Sequence, residues 1–276
     1  MQYHHLNTNL DMSALSISQC INSMPMPGAV GCFSAYNLEM LMAIIAGAEK
    51  ACRPVIVSLD PNPGHVDFDN MACCALLSAE KASVPITVHL NHGRTLEIIQ
   101  QALHAGLLSV MFDGSSFSYE ENIQLTSQAR IMAHQAGAEI EGEFGPLCTR
   151  QEELISVLDF LKLTGIDTLA FSVGKDLSRS DQIKGIELLA VISRKTEVPL
   201  VLHGARRLPE SLLKQAIRSG VRKVNVHTEL LLALKKSLLQ GMKQDAGSNP
   251  LDWLSRAAKD IQLLVEQRVR FFAAPV

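Results

Sequence analysis

Ala29-Val30-Gly31-Cys32-Phe33-Ser34-Ala35, then Leu38–Ala51, then Pro54-Val55-Ile56-Val57-Ser58-Leu59, is the stretch on which the fold turns. The two outer pieces are short and mostly β-branched or aliphatic, the pattern of strands buried on both faces. The middle piece carries its apolar residues at helical spacing. Strand, helix and strand in this order make a parallel βαβ unit. The alternation continues through strand-like runs at Pro85–Leu90, Leu107–Phe112, Ala138–Glu143, Asp167–Ser172, Pro199–His203 and Arg222–Val226. Helical segments separate or follow them at Met71–Lys81, Leu96–Ala105, Glu120–Gln135, Gln151–Leu163, Ile183–Arg194, Glu210–Ser219 and Glu229–Met242. Eight such alternations predict an α/β fold, a closed (β/α)8 TIM barrel, with an open doubly wound sheet as the alternative.

Smaller signals agree. Gly106, Gly137, Gly165 and Gly220 stand where helices should end in a left-handed cap. Pro54, Pro85 and Pro199 stand at strand starts, where a missing N–H is tolerated. After Gly247-Ser248-Asn249-Pro250 a further amphipathic helix, about Leu251–Arg270, falls outside the eight-fold count. It is expected to dock on the barrel or on a second subunit. Residues 1–276 therefore read as a single barrel domain with a C-terminal helical extension at about 250–270, since a barrel of this class takes about 250 residues.

The hydrophobic fraction of 47% supports a large core, and the net charge of −3 gives no electrostatic case for nucleic acid or an anionic membrane. No apolar run approaches the ~20 residues of a membrane span, and the N-terminus lacks a basic stretch before an apolar one. The cysteines (Cys20, Cys32, Cys52, Cys73, Cys74 and Cys148) contain no CxxC pair. They are expected to be reduced, buried thiols of a cytoplasmic protein.

Polar residues gather where the strands end. His89, Asn91 and His92 follow or close the third run, Asp113 and Ser115 the fourth, and Glu141 and Glu143 the fifth. Gly174, Lys175 and Asp176 follow the sixth, His203 and Gly204 the seventh, and Asn225, His227 and Thr228 the eighth. In a barrel these share one face, the one on which active sites are built. Imidazoles with carboxylates there are compatible with a metal.

Five phrases carry a family resemblance: Val88-His89-Leu90-Asn91-His92-Gly93, Val110-Met111-Phe112-Asp113-Gly114-Ser115, Ile140-Glu141-Gly142-Glu143-Phe144-Gly145, Val198–Ala205 and Lys223–Leu230. In order and spacing they resemble the class II ketose-bisphosphate aldolases, in particular the tagatose-bisphosphate type, over about Gly31 to Arg270. The resemblance implies a zinc held by three histidines that polarises the ketose carbonyl. It also implies a carboxylic acid that moves the proton of the aldehyde oxygen. Phosphates would be held by backbone amides, glycines and small hydroxyl residues, and an asparagine after the last strand would orient the substrate. His92 and His203 match two of the zinc histidines, and Asn225, Thr228, Asp113, Ser115 and Glu141 also match.

The sequence departs from that pattern at decisive places. The loop that should supply the remaining histidine reads Gly174-Lys175-Asp176-Leu177-Ser178, and no histidine occurs from Gly174 to Leu202. The proton-carrying aspartate is replaced by Asn91, and an amide cannot take and return a proton at neutral pH. Arg206 and Arg207 follow Gly204-Ala205 where a small hydroxyl residue belongs, and the segment after Gly145 is short. Two histidines are too few for a tight catalytic zinc unless another group substitutes; Asp176 and His227 are the candidates on mouth loops.

The expectation is an aldolase homologue with an incomplete zinc and acid–base site. Zinc is weak or absent at His92 and His203, and Asn91 and Glu141 occupy catalytic positions. Gly174, Lys175, Gly204, Arg206, Asn225 and Thr228 are candidates for binding a sugar phosphate. Such a pseudoenzyme binds a sugar phosphate, a protein partner or a second copy of itself. The alternatives are a working tagatose- or fructose-bisphosphate aldolase with a rearranged metal site, and a different lyase using Lys175, Arg206 or Glu141.

Overall fold

The computed structural model describes residues 15–61, 66–146, 152–173, 177–244 and 249–273. Its strands are β1 (Val30–Ser34), β2 (Val55–Leu59), β3 (Ile86–Gly93), β4 (Ser109–Phe112), β5 (Glu139–Pro146), β6 (Thr168–Ser172), β7 (Leu200–His203) and β8 (Val221–Val226). Each pairs in parallel with the next and β8 returns to β1, closing the barrel. The helices are α1 (Ile17–Asn22), α2 (Leu38–Ala51), α3 (Phe68–Glu80), α4 (Leu96–His104), α5 (Tyr119–Gln135), α6 (Glu152–Thr164), α7 (Arg179–Ser193), α8 (Glu210–Arg218), α9 (Thr228–Gln244) and α10 (Pro250–Ala273). The expected α/β barrel and its C-terminal helix are both present.

Alternation along the strands divides the barrel into two environments. Phe33, Val57, Leu90, Phe112, Ile140, Leu169, Leu202 and Val224 join the large core between sheet and helices. The residues between them point inward. Met111, Ala170 and Val201 form a small apolar layer inside. Above and beside it the buried interior is polar, with Ser34, Ser58, Thr87, His89, Ser109, Glu141, Thr168 and Lys223. Burying such groups is tolerable only when they are hydrogen-bonded: Ser109, His89, Lys223, Glu141 and Thr168 form one chain, Ser34 pairs with Ser58, and Thr87 donates to Ser16 O.

Helix α1 closes the opposite end. Ile17, Cys20, Ile21 and Met24 pack on Val30, Cys32 and Ile56. A capping box of Ser16 and Gln19 starts the helix. The Glu139 carboxylate accepts from Ser16 Oγ at 3.0 Å and Ser18 N at 2.7 Å, placing an acid at the helix N-terminus.

The C-terminal helix docks on the barrel. Ala257, Ile261, Val265, Val269 and Phe272 are buried at helical spacing, and Ala29 N donates to Phe272 O at 3.2 Å. Gly47 on α2 permits the approach: a Cβ there would lie 2.8 Å from Gln262 O and 2.8 Å from Val265 Cβ. Gly47→Ala should therefore lower stability by about 1–3 kcal/mol through overpacking, despite its better helix propensity. A thermal unfolding curve checks this, and a raised Tm would contradict the close packing.

The four cap glycines adopt positive φ, from 61° at Gly165 to 112° at Gly220. The thiols need correction. Cys20 and Cys32 are buried, but Cys52, Cys73 and Cys74 are exposed. Helix α3 buries Phe68, Met71, Ala72, Ala75 and Ala79, which turns the adjacent cysteines to solvent. Cys148 lies outside the described residues. No described helix is long and apolar enough to cross a membrane.

Candidate metal centre

The C-terminal ends of the strands enclose a cavity of about 280 Å³ lined by Asn91, His92, Glu143, His203, Gly204, Arg206, Asn225 and Thr228, among others. Six residues singled out from the sequence thus converge: Asn91, His92, His203, Arg206, Asn225 and Thr228. Gly204 joins them at φ 69°, where an added Cβ would come within 3.2 Å of Val173 O. Gly174, Lys175 and Asp176 lie outside the described residues. Leu177, at the position of the absent histidine, is half-buried against the core.

Strand alternation explains why Asn91 faces the mouth but not why His92 does. His89 and Asn91 point inward, so His92 should point out. Its backbone takes φ 51°, a left-handed conformation unusual for a residue with a side chain. The pairing of β3 with β4 breaks register between Leu90 and Gly93. The kink turns consecutive residues into the same cavity. The rings of His92 and His203 then meet edge to face at 5.0 Å between centroids.

Both histidines are held by carboxylates through one ring nitrogen. His92 Nδ1 lies 2.9 Å from Asp113 Oδ2, and His203 Nε2 lies 3.0 Å from Glu141 Oε1. This is the arrangement that fixes the orientation and basicity of ligating imidazoles. Burial opposes charge on His92, but the Asp113 bond and the nearby Glu143 lift it above the ordinary histidine range. Burial also opposes ionisation of Asp113 and Glu141. His92 and Ser115 hold Asp113 well below the usual carboxylate range, and Lys223 and His203 do so for Glu141. Burial pushes His203 below the ordinary histidine range, against the pull of Glu141.

Glu143 is different. Its Oε2 has no hydrogen-bond partner, and neither has His203 Nδ1. The two atoms face each other at 3.8 Å. A carboxylate oxygen and a bare imidazole nitrogen are both acceptors, so their pairing calls for a proton or a metal ion between them. Burial, with Asp113 adding to it, raises Glu143 to about 7. His92, Glu143 and His203 each offer a ligand atom, and these atoms all lie within 4.8 Å of one another. Ligands at zinc distances of ~2.0–2.1 Å stand roughly 3.4 Å apart in a tetrahedron, so the three side chains would draw together around an ion. The residues fit a divalent metal. Sequence reasoning placed both Glu141 and Glu143 at the mouth but took only Glu141 as a candidate site residue. The geometry gives Glu143 the cavity and puts Glu141 one layer below, fully buried. Spacing of two along β5 was the available signal.

This arrangement fixes a pH dependence. The native pKa of Glu143, about 7, exceeds the ~4.3 of an unfolded glutamate. Its contribution to stability is therefore present at low pH and is lost as pH rises from about 4.3 through 7. A cation must displace that proton and the one favoured on His92. Metal affinity should thus rise with pH through neutrality, with proton release on binding. Titration calorimetry in buffers of different ionisation enthalpy reads this; affinity falling with pH would contradict it.

The other mouth residues have local roles. Asn225 Nδ2 lies 3.0 Å from His203 Nε2 and 3.3 Å from Asn91 Oδ1, while its Oδ1 lacks a partner. Since His203 Nε2 must donate to the Glu141 carboxylate, it also needs an acceptor from Asn225. A half-turn of that amide supplies one and satisfies Oδ1; Asn91, turned likewise, donates to the same oxygen. The Arg207 guanidinium donates to Val173 O. Arg206 is exposed on the cavity rim. His227 instead meets Tyr36, whose hydroxyl lies 3.2 Å from its Nδ1 and donates to Asp60.

A closed parallel barrel with two carboxylate-held histidines and a third carboxylate at its C-terminal mouth defines a TIM-barrel protein with side chains that could hold a divalent metal. More particularly, this chain belongs to the class II fructose-bisphosphate aldolase family, whose profile matches residues 26–275. The chain is 30% identical to the probable fructose-bisphosphate aldolase of Bacillus subtilis (strain 168), over 95% of this chain and 99% of that protein. It is 33% identical to the D-tagatose-1,6-bisphosphate aldolase subunit GatY of Klebsiella oxytoca, over 80% and 83%. The crystal structure of the YdjI aldolase from Escherichia coli K12 superposes with a TM-score of 0.82 at 31% identity, covering 94% of this chain and 96% of that one.

Proposed function

We propose that this protein is a divalent-metal-dependent lyase of the aldolase type acting on a sugar phosphate, with a rearranged ligand set of His92, Glu143 and His203. The observation that carries this reading is the pair of unpartnered acceptors, Glu143 Oε2 and His203 Nδ1, beside His92. Zinc is the metal the family resemblance implies, and when bound it would act as a Lewis acid on the substrate carbonyl. Asp113 and Glu141 orient the two imidazoles. Gly204, Arg206 and Thr228 form the phosphate side of the cavity, and loops after β7 and β8 commonly do so in this fold. Asn225 orients the substrate through its amide. Asn91 occupies the place of the proton carrier and can donate or accept a hydrogen bond without transferring a proton, so turnover is slow.

A second reading, a sugar-phosphate or partner-binding homologue without turnover, is favoured by Asn91 together with Leu177. Metal analysis of the purified protein and a cleavage assay on fructose and tagatose bisphosphates with added zinc separate the two. One tightly held zinc with slow cleavage supports the first reading. Absence of bound metal together with a ligand-induced rise in Tm supports the second.

A further inference from the structure

Below the mouth lies a polar cluster that the reaction does not touch. Lys223 of β8 and Glu141 of β5 are both fully buried, with Nζ 2.8 Å from Oε2. Thr168 Oγ1 donates to the same oxygen at 3.3 Å. Lys223 Nζ is also 3.3 Å from His89 Nε2, and His89 Nδ1 is 2.7 Å from Ser109 Oγ. Glu141 Oε1 faces His203 Nε2 at 3.0 Å.

Donor and acceptor rules fix each proton in this chain. An ammonium only donates, so His89 Nε2 accepts and its proton sits on Nδ1. A carboxylate only accepts, so His203 carries its proton on Nε2 and leaves Nδ1 bare toward Glu143. Two histidines of one interior are thereby held in opposite tautomers, with Lys223 between them. Packing alone does not call for such a pair, because a buried ion pair replaced by apolar residues often leaves stability unchanged or improved. The adjacent layer is in fact apolar, made of Met111, Ala170 and Val201.

We propose that Lys223 is a positioning residue for the metal centre. It keeps Glu141 an acceptor, and Glu141 in turn presents the Nδ1 lone pair of His203 to the cavity. Lys223 touches neither metal nor substrate. This inference rests on the reading of His92, Glu143 and His203 as the ligand set.

An isosteric pair of variants tests it. In Glu141→Gln, the amide oxygen must face Lys223, so the amide NH₂ faces His203 Nε2 and drives the proton to Nδ1. Adding Lys223→Met frees the amide to turn its oxygen to His203, which restores the proton to Nε2. The double variant holds no unpaired buried charge. The readout is the ¹⁵N shifts of the histidine rings in metal-free protein, followed by zinc titration. The expected result is Nε2–H at His203 and Nδ1–H at His89 in the wild type, and Nδ1–H at His203 in Glu141→Gln. The double variant is expected to return to Nε2–H. Zinc affinity should fall about 10–100-fold in the single variant and recover in the double.

An Nδ1–H wild-type His203 overturns the proposal, as does a tautomer that stays the same in all three proteins. If the tautomers switch as expected and the wild type binds no zinc, the control of the His203 tautomer through Glu141 stands, while the metal reading fails and Lys223's role at a metal centre with it.

Discussion

Asn91→Asp is expected to raise the rate of aldol cleavage by about 10²–10⁴-fold, the usual contribution of a positioned acid–base group. Asn91 is buried at the mouth, on the strand that carries His92, and its amide reaches Asn225 at 3.3 Å. A carboxyl group of nearly the same shape keeps that contact in its protonated form, by donating to the Asn225 oxygen. It gains what an amide lacks, the ability to take a proton from the hydroxyl of the cleaving bond and return it. The gain should appear in kcat with little change in KM, because the proposed phosphate contacts at Gly204, Arg206 and Thr228 are untouched. Steady-state kinetics of the purified variant on fructose and tagatose bisphosphates check this. An unchanged kcat would mean that another group carries the proton, with His227 beside Tyr36 the imidazole of the cavity outside the proposed ligand set.

Glu143→Gln is expected to weaken zinc binding by more than about 100-fold. Losing a group that only supports a ligand lowers affinity about 10–100-fold, and losing a ligand should exceed that. The substitution removes the charge that faces His203 Nδ1 at 3.8 Å and His92 Nδ1 at 3.6 Å. It should also stabilise the metal-free protein above neutral pH, since burial disfavours the ionised Glu143 and an amide carries no charge. Opposite signs for metal affinity and metal-free stability distinguish a ligand from a residue that merely packs. Competition with a coloured chelator and thermal melts at pH 8 give the two readings. Unchanged affinity would remove Glu143 from the ligand set.

The barrel was legible because its signals are local. The helix expected at Leu38–Ala51 has those bounds, and the strand starts after Pro54, Pro85 and Pro199 are at Val55, Ile86 and Leu200. Helix α7 starts at Arg179 rather than Ile183, because the Ser178 hydroxyl accepts from Asp181 N and draws the first turn into the helix. Helix α1 went unread although Ser16 and Gln19 form a capping box. Its apolar face is short, and what secures it is Glu139, more than a hundred residues away in sequence.

The site was legible as a list of residues, and less so as an arrangement. His92 and His203 were found through motif and position. That Glu143 lies between them depends on the inward side of β5 and on the left-handed backbone of His92, neither of which a residue pattern states. Lys223 reads as one charge in a strand. Only the closed barrel reveals that it meets Glu141 and His89, because β8, β5 and β3 converge there across the interior.

The central question is whether one divalent metal sits between His92, Glu143 and His203. Crystals grown with zinc and measured on both sides of its absorption edge test this most directly. The expected result is one strong anomalous peak per chain within bonding distance of all three side chains, with His203 bound through Nδ1. A peak elsewhere at the mouth, or none there while the three side chains are ordered, would contradict it.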